Sequence, residues 1–219
     1  MREVRITEIQ IKGTIIPNDD KSMYDWFGIE STCPNDVAKA LEQADGEDVD
    51  IYINSGGGEI FAAAEIYSAV QKYKGKVKLH VTGLAASAAS IIMCAGKCDI
   101  SAASMVMIHN VSSTAQGNYR DFKHESETLR KADRAMCQAY VNKTGKSESE
   151  ILSLMDKETW FTAQEAVEIG LCDNVTGKDM LINAYCSVVT DEQRKQFENA
   201  KVKARAQIRL EKMKGDVKI

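Results

Sequence analysis

The chain of 219 residues is poor in proline, with 2, and in aromatic residues, at 6%. Its 14 glycines follow no fixed period and 44% of its residues are hydrophobic, so collagen-like and disordered chains are both excluded. The opening MREVRITEIQIKGTIIPNDD lacks the apolar core of a signal peptide. No later apolar run reaches the roughly 18 residues that a membrane span needs, so a cytoplasmic protein without a membrane segment is expected. Among the six cysteines only Cys94 and Cys98 lie close together, with no second pair to complete a zinc site. Small buried thiols are therefore expected, and no metal or other cofactor.

Charge of one sign is lacking overall, 28 Lys and Arg standing against 32 Asp and Glu, but its distribution is uneven. Residues 191–219 carry nine basic and five acidic side chains, a charge of +4, which leaves −8 on the rest. In this tail Phe197, Ala200, Ala204 and Ile208 form one apolar stripe at helical spacing, and Ala206, Leu210, Met213 and Val217 a second. Basic residues interleaved with apolar stripes and a single aromatic point to a packing helix rather than a nucleic-acid contact. The organisation expected is a large domain over residues 1–189 and a charged helical tail over 190–219.

Within the first part, strands and helices alternate. Strand patterns are read at residues 2–16, with Val4, Ile6, Ile9 and Ile11 among charges, at Val49–Asn54, Val77–Thr82, Cys98–Ile100 and Met105–Ile108. Helical patterns are read at Val37–Ala44, Ile60–Tyr73, Ala88–Ala95, 118–144, Glu148–Asp156 and Ala163–Ile169, and the segment after Pro17 reads as a polar loop. The alternation predicts an α/β fold of repeated β-β-α or βαβ units with a helical extension.

Three places carry chemistry. Gly56-Gly57-Gly58 follows a strand and precedes a helix; without Cβ atoms this backbone can bring its N–H groups to an anion, although a plain tight turn uses the same residues. Ser87, in GLAASAAS, opens a helix of small residues, where it is either an N-cap or a nucleophile with the Ala88 amide beside the developing oxyanion. His109 closes the strand MVMIH and is the candidate base; His80 in KLHVT reads as a packing residue and His124 as a solvated one. A carboxylate that fixes the histidine tautomer is available at Asp156, Glu158 or Asp173.

Together the strings INSGGGEIFAAAEIYSAV, GLAASAASIIMCAG, MVMIHN and WFTAQEAVEIGLCDNV, spread from Ile53 to Val175, resemble the Clp protease proteolytic subunit family of the Clp/crotonase superfamily. The resemblance implies a Clp/crotonase-like fold and a homo-oligomeric ring. It places the nucleophile on Ser87, the base on His109 and the third member on Glu158, where the family has aspartate. The oxyanion hole falls on Gly57, Gly58 and the Ala88 amide, and Gly56 stands where the family has proline. No docking loop for a ring-shaped ATPase is evident. The segment KSMYDWFGIESTCPNDVAKAL and the charged tail are more similar to Clp-related head maturation peptidases of phages and prophages, which implies capsid or scaffold polypeptides as substrates in the assembling prohead.

The leading expectation is thus an ATP-independent serine endopeptidase. The alternatives are a general Clp-type peptidase with an ATPase partner, a crotonase-type acyl-CoA hydratase or isomerase, and a catalytically silent scaffold-binding protein. The crotonase reading calls for neither Ser87 nor His109 and needs carboxylates that helix 88–96 lacks.

Overall fold

The structure is a computed structural model and describes residues 6–177 and 189–215. Strand β1 (Thr7–Ile15) stops just before Pro17, the break that the sequence predicts. A 3-10 turn and helix α1 (Lys21–Phe27) then replace the polar loop, followed by β2 (Ser31–Thr32). Helix α2 (Pro34–Ala44) takes Pro34 as its first residue, where a missing N–H costs nothing, and Asp36 closes the turn on the Cys33 amide at 3.1 Å.

The centre is β3 (Val49–Gly58), α3 (Ile60–Lys72), β4 (Val77–Ala86), α4 (Ala88–Met93), β5 (Lys97–Ser101) and β6 (Met105–Ile108). Helix α5 (Tyr119–Thr144), α6 (Glu148–Asp156), β7 (Thr159–Thr162), α7 (Ala163–Glu168), β8 (Asn174–Thr176) and α8 (Asp191–Gly215) complete the chain.

The sheet runs β2-β1-β3-β4-β5-β8, all parallel, with β6 parallel to the end of β4 and β7 antiparallel to β6. This is the α/β architecture that the alternation predicts. Alternation also sorts its faces: Ile9, Ile11, Val49, Ile51, Ile53, Leu79 and Val81 point into the core, where each such side chain stabilises by about 1.5–3 kcal/mol. Helices α2, α3 and α4 pack on that side through Val37, Leu41, Ala63, Ile66, Ala89 and Ile92. The other face carries Glu8, Gln10, Asp50, Tyr52, Lys78 and His80.

Strand β4 forks. Through Val81 it pairs with β5; from Leu84 it pairs with β6, and the β3–β4 register shifts between Ile53 and Ser55. Asn54, which is buried, takes up the Leu84 amide at 3.1 Å inside this irregularity. The fork separates β6 from β5 and brings the end of β6 beside the end of β4.

The glycine triplet is not a turn. Gly57 and Gly58 lie in the ladder opposite Thr14 and Ile15, and a Cβ on Gly58 would stand 2.1 Å from the Ile15 carbonyl oxygen. Main chain packs against main chain there, which only glycine allows.

Five cysteines, Cys33, Cys94, Cys98, Cys137 and Cys172, are free and buried. Burial pushes the Cys94 thiol well up, and at Cys98 a hydrogen bond with Cys172 and burial do the same, so neither is a ready thiolate. Helix α8 meets the body at α1, where Phe197 packs edge-on to Trp26 and Arg194 pairs with Asp20 at 3.2 Å. Val189 is buried with Ile16, Met23, Tyr24 and Cys33 in a satellite cluster. Val4, Cys186 and Val217 lie outside the described residues, as do the side chains of Ala206, Ile208, Leu210 and Met213. Among the described residues no helix is long and apolar enough to cross a membrane.

Candidate active site

Strand β4 ends at Ala86, and the next residue bends the chain sharply into α4. Ser87 has φ 53° and ψ −125°, an arrangement that costs an L-residue about 1–3 kcal/mol and persists only where its surroundings fix it. They do so here: the Ser87 amide donates to the Met107 carbonyl in β6 at 2.9 Å, and the Ser87 carbonyl accepts from the Ser90 amide at 3.0 Å. The side chain caps no amide of α4, so the N-cap alternative has no geometric support.

Instead Ser87 Oγ lies 2.7 Å from His109 Nε2. His109 follows directly on β6, and pairing of β4 with β6 sets the two strand ends side by side. When the neutral imidazole carries its proton on Nδ1, Nε2 accepts the Ser87 hydroxyl proton, the geometry required of a nucleophile and its base. The other two histidines are elsewhere. His80 lies on the polar sheet face, stacked on Tyr52 with its Nδ1 2.6 Å from Asp99, and His124 is exposed on α5.

A cavity of about 180 Å³ opens beside the pair, lined by Gly58, Ala88, Ile91, Met136 and Tyr140. Of the two glycines assigned to the oxyanion hole, Gly57 directs its N–H to Ser55 Oγ at 3.0 Å, so that donor is engaged inside the protein. Gly58 is exposed and lines the cavity. Ser55 in turn donates to the Gly13 carbonyl at 2.6 Å and ties β3 to β1 beneath the site.

The three carboxylates are dispersed. Glu158 has φ 49° in the bend between α6 and β7, and its carboxylate accepts from the Trp160 indole N–H at 3.4 Å. Asp156 accepts from Asn110 Nδ2 at 2.8 Å. Neither bonds the His109 ring. The β6–β7 ladder nevertheless pairs Ile108 with Thr159, so one further step of that register sets Glu158 across from His109.

Asp173 is held elsewhere, by Lys143 Nζ and by the Cys98 amide, both at 2.7 Å. Burial pushes its carboxyl up, but these two donors outweigh that and hold it below the usual carboxylate value. A lowered folded pKa stabilises the protein above the ordinary carboxylate value, and the contribution fades as pH falls through the lowered one. Because the side chain is 45% exposed, Asp173→Asn is expected to cost only about 1 kcal/mol, a fall of about 2–4 °C in melting temperature. Its kcat/KM on a peptide substrate should equal that of the wild type; a selective loss of kcat would place Asp173 in the reaction after all.

Ser55, Ser90 and Tyr140 were not evident from the sequence. Ser90 stands one helical turn after Ser87, a spacing that signals a shared helix face, whereas nothing local marks Tyr140, 50 residues further on.

The Clp protease family profile matches residues 29–179. An ATP-dependent Clp protease proteolytic subunit from Bacteroides fragilis is 30% identical over 181 residues, covering 80% of this chain and 86% of its own length. The ATP-dependent Clp protease proteolytic subunit 1 of Protochlamydia amoebophila is 36% identical over 62% of this chain and 68% of its own. Among solved structures, a ClpP1 point mutant from Listeria monocytogenes superposes with a TM-score of 0.64 at 22% identity, covering 78% of this chain and 92% of that one. That likeness carries the fold.

Proposed function

Since the chain belongs to the Clp protease family, and with it to the serine peptidases, we propose that Ser87 is its nucleophile and His109 its general base. The observation that carries this is the 2.7 Å contact between Ser87 Oγ and His109 Nε2 at the mouth of the cavity. Ser87 Oγ attacks the peptide carbonyl carbon as its proton passes to His109 Nε2, and the carbonyl electron pair moves onto oxygen. The amides of Gly58 and Ala88 hold that oxyanion. Collapse breaks the C–N bond, the leaving amine takes the proton from His109, and a water molecule repeats the sequence on the acyl-enzyme to restore Ser87.

In this reading Glu158 orients His109 through Nδ1, supported by the β6–β7 register and requiring its carboxylate to leave the Trp160 indole. Residues 1–189 form the catalytic body and 190–219 the tail. The substrates are capsid or scaffold polypeptides, a reading supported by the opening segment and tail that resemble those of head maturation peptidases. In this chain these two regions pack on each other through Trp26 and Phe197.

Self-assembly into a ring is supported by the first half of α5, which leaves Tyr119 and Phe122 exposed. A second reading, degradation with an ATPase partner, is favoured by the relatives, whose names describe ATP-dependent enzymes. Co-expression with capsid and scaffold proteins, then mass spectrometry of the fragments, separates the two: cleavage without any ATPase supports the first.

The nucleophile is tested with a fluorophosphonate probe. One adduct per chain, mapped to Ser87 and blocked by a peptide substrate, is expected. An adduct on any other residue, or none, would remove Ser87 from the role.

A further inference from the structure

Behind the nucleophile lies a second pair of hydroxyls that the reaction scheme does not use. Ser90, fully buried in α4, places Oγ 2.6 Å from the Ser87 carbonyl oxygen and 2.7 Å from the hydroxyl of Tyr140, which is 2% exposed on α5. A serine hydroxyl has one proton. Since Ser90 gives that proton to the Ser87 carbonyl, Tyr140 is the donor to Ser90, and the three groups form a directed chain. Burial pushes the Tyr140 phenol well up, so it stays protonated and a donor throughout the neutral range.

The end of this chain is what matters. The Ser87 carbonyl and the Ala88 N–H belong to one planar trans peptide and point in opposite directions. Two hydrogen bonds on the carbonyl side, from the Ser90 amide and the Ser90 hydroxyl, fix the plane of that peptide. They also polarise it, because hydrogen bonds in series strengthen one another where water is excluded.

We propose that Tyr140 and Ser90 are positioning residues of the oxyanion hole, acting through the Ser87–Ala88 peptide to aim and strengthen the Ala88 amide. The inference rests on the reading of Ser87 as nucleophile and of Ala88 as an oxyanion donor. It adds that a residue of α5, outside every catalytic motif of the sequence, sets the strength of that donor.

The device serves only the charged tetrahedral state, so its loss lowers kcat and leaves substrate binding in place. Tyr140→Phe removes one oxygen and keeps the ring; Ser90→Ala removes the link. Removing an oxyanion donor outright costs about 10²–10³ in kcat, and weakening one is expected to cost about tenfold in each variant, with KM within about twofold. Because the two act in series, the double variant should be no slower than Ser90→Ala alone.

The experiment measures kcat and KM on a chromogenic peptide, melting temperature, and affinity for two inhibitors: a peptidyl trifluoromethyl ketone, whose adduct bears an oxyanion, and the corresponding alcohol, which forms none. A selective loss of ketone affinity in both variants, parallel to kcat, supports the relay. Unchanged kcat, or equal losses for ketone and alcohol, would overturn it, since equal losses mark a collapsed cavity. Should Ser90→Ala not fold, Tyr140→Phe carries the test alone. Wild-type protein that forms no ketone adduct on Ser87 would overturn the nucleophile assignment itself, and the relay with it.

Discussion

Ser87→Ala is expected to abolish peptidase activity, lowering kcat by about 10⁴–10⁶-fold while leaving the fold intact. The rate falls because the acyl-enzyme cannot form without Oγ; what remains is the capacity of the cavity to bind and polarise a peptide. At about 1.36 kcal/mol per tenfold, the loss corresponds to roughly 5–8 kcal/mol of transition-state stabilisation. Stability is expected to change little. Among the described residues the Ser87 side chain caps no helix amide and bonds only His109, whereas its strained backbone is anchored by Met107 and Ser90 through main-chain groups that alanine retains. Alanine is no better suited than serine to φ 53°, so the strain cancels between the two proteins. Casein and a chromogenic peptide serve as substrates, with thermal melting alongside. A Ser87→Ala protein with wild-type turnover would end the serine-peptidase reading of this site. His109→Ala should lose a comparable amount, and the double variant little more, because nucleophile and base act as a unit.

The parts of the fold that sequence makes legible are those where one face of an element is apolar over several periods. Ile9 and Ile11, then Val49, Ile51 and Ile53, and Leu79 with Val81 recur at every second position, and all are buried. Elements that depend on distant partners are not legible. Strand β3 runs on through Gly57 and Gly58, which have no side chains to alternate, and only the partner residues Thr14 and Ile15 reveal the ladder. Helix α1 reads as a loop because its seven residues make fewer than two turns, too few for an apolar stripe to repeat; Met23 and Tyr24 are buried by Cys33 and Val189 from elsewhere in the chain. Strand β8, with three residues, is too short to show an alternation, and β7 reads Thr-Trp-Phe-Thr, with two apolar residues side by side, and does not alternate.

The site divides along the same line. Ser87 and His109 are each marked locally, by a small-residue helix start and a strand end, and the fork in β4 brings them together. The approach of Tyr140 to Ser90, 50 residues away, is a three-dimensional fact without local signature, whereas the capture of the Gly57 amide by Ser55 spans only two residues, a contact that the Ser-x-Gly spacing allows but does not require. Glu158 is intermediate: its position opposite His109 follows from strand register, whereas the direction of its carboxylate is set by a positive φ and by Trp160.

A methyl group on Gly57 is expected to disable the site from behind. Gly57 has φ 99°, and a Cβ there would stand 2.7 Å from the Ser87 Cβ, 2.7 Å from the Ala86 carbonyl oxygen and 3.0 Å from the Ala88 nitrogen. None of these is the far end of a flexible side chain, so the bend that carries the nucleophile must shift. Displacement by even 1 Å costs about 10²-fold in rate, and Gly57→Ala is expected to lose at least that much kcat. Gly58→Ala meets Ile15 instead, 2.1 Å from its carbonyl oxygen and 2.8 Å from its nitrogen, and forces β1 away from β3. Its loss should appear first in stability, about 4 kcal/mol or more, a fall of about 8–16 °C in melting temperature. Gly145→Ala is the control: φ is 71°, but the space around it is open, so only the left-handed backbone is penalised, by about 1–2 kcal/mol. Peptide turnover and melting temperature of the three proteins separate the effects. A Gly57→Ala enzyme as active and as stable as Gly145→Ala would mean that the bend at Ser87 yields freely, and close packing of β3 against it would then have no part in holding the nucleophile.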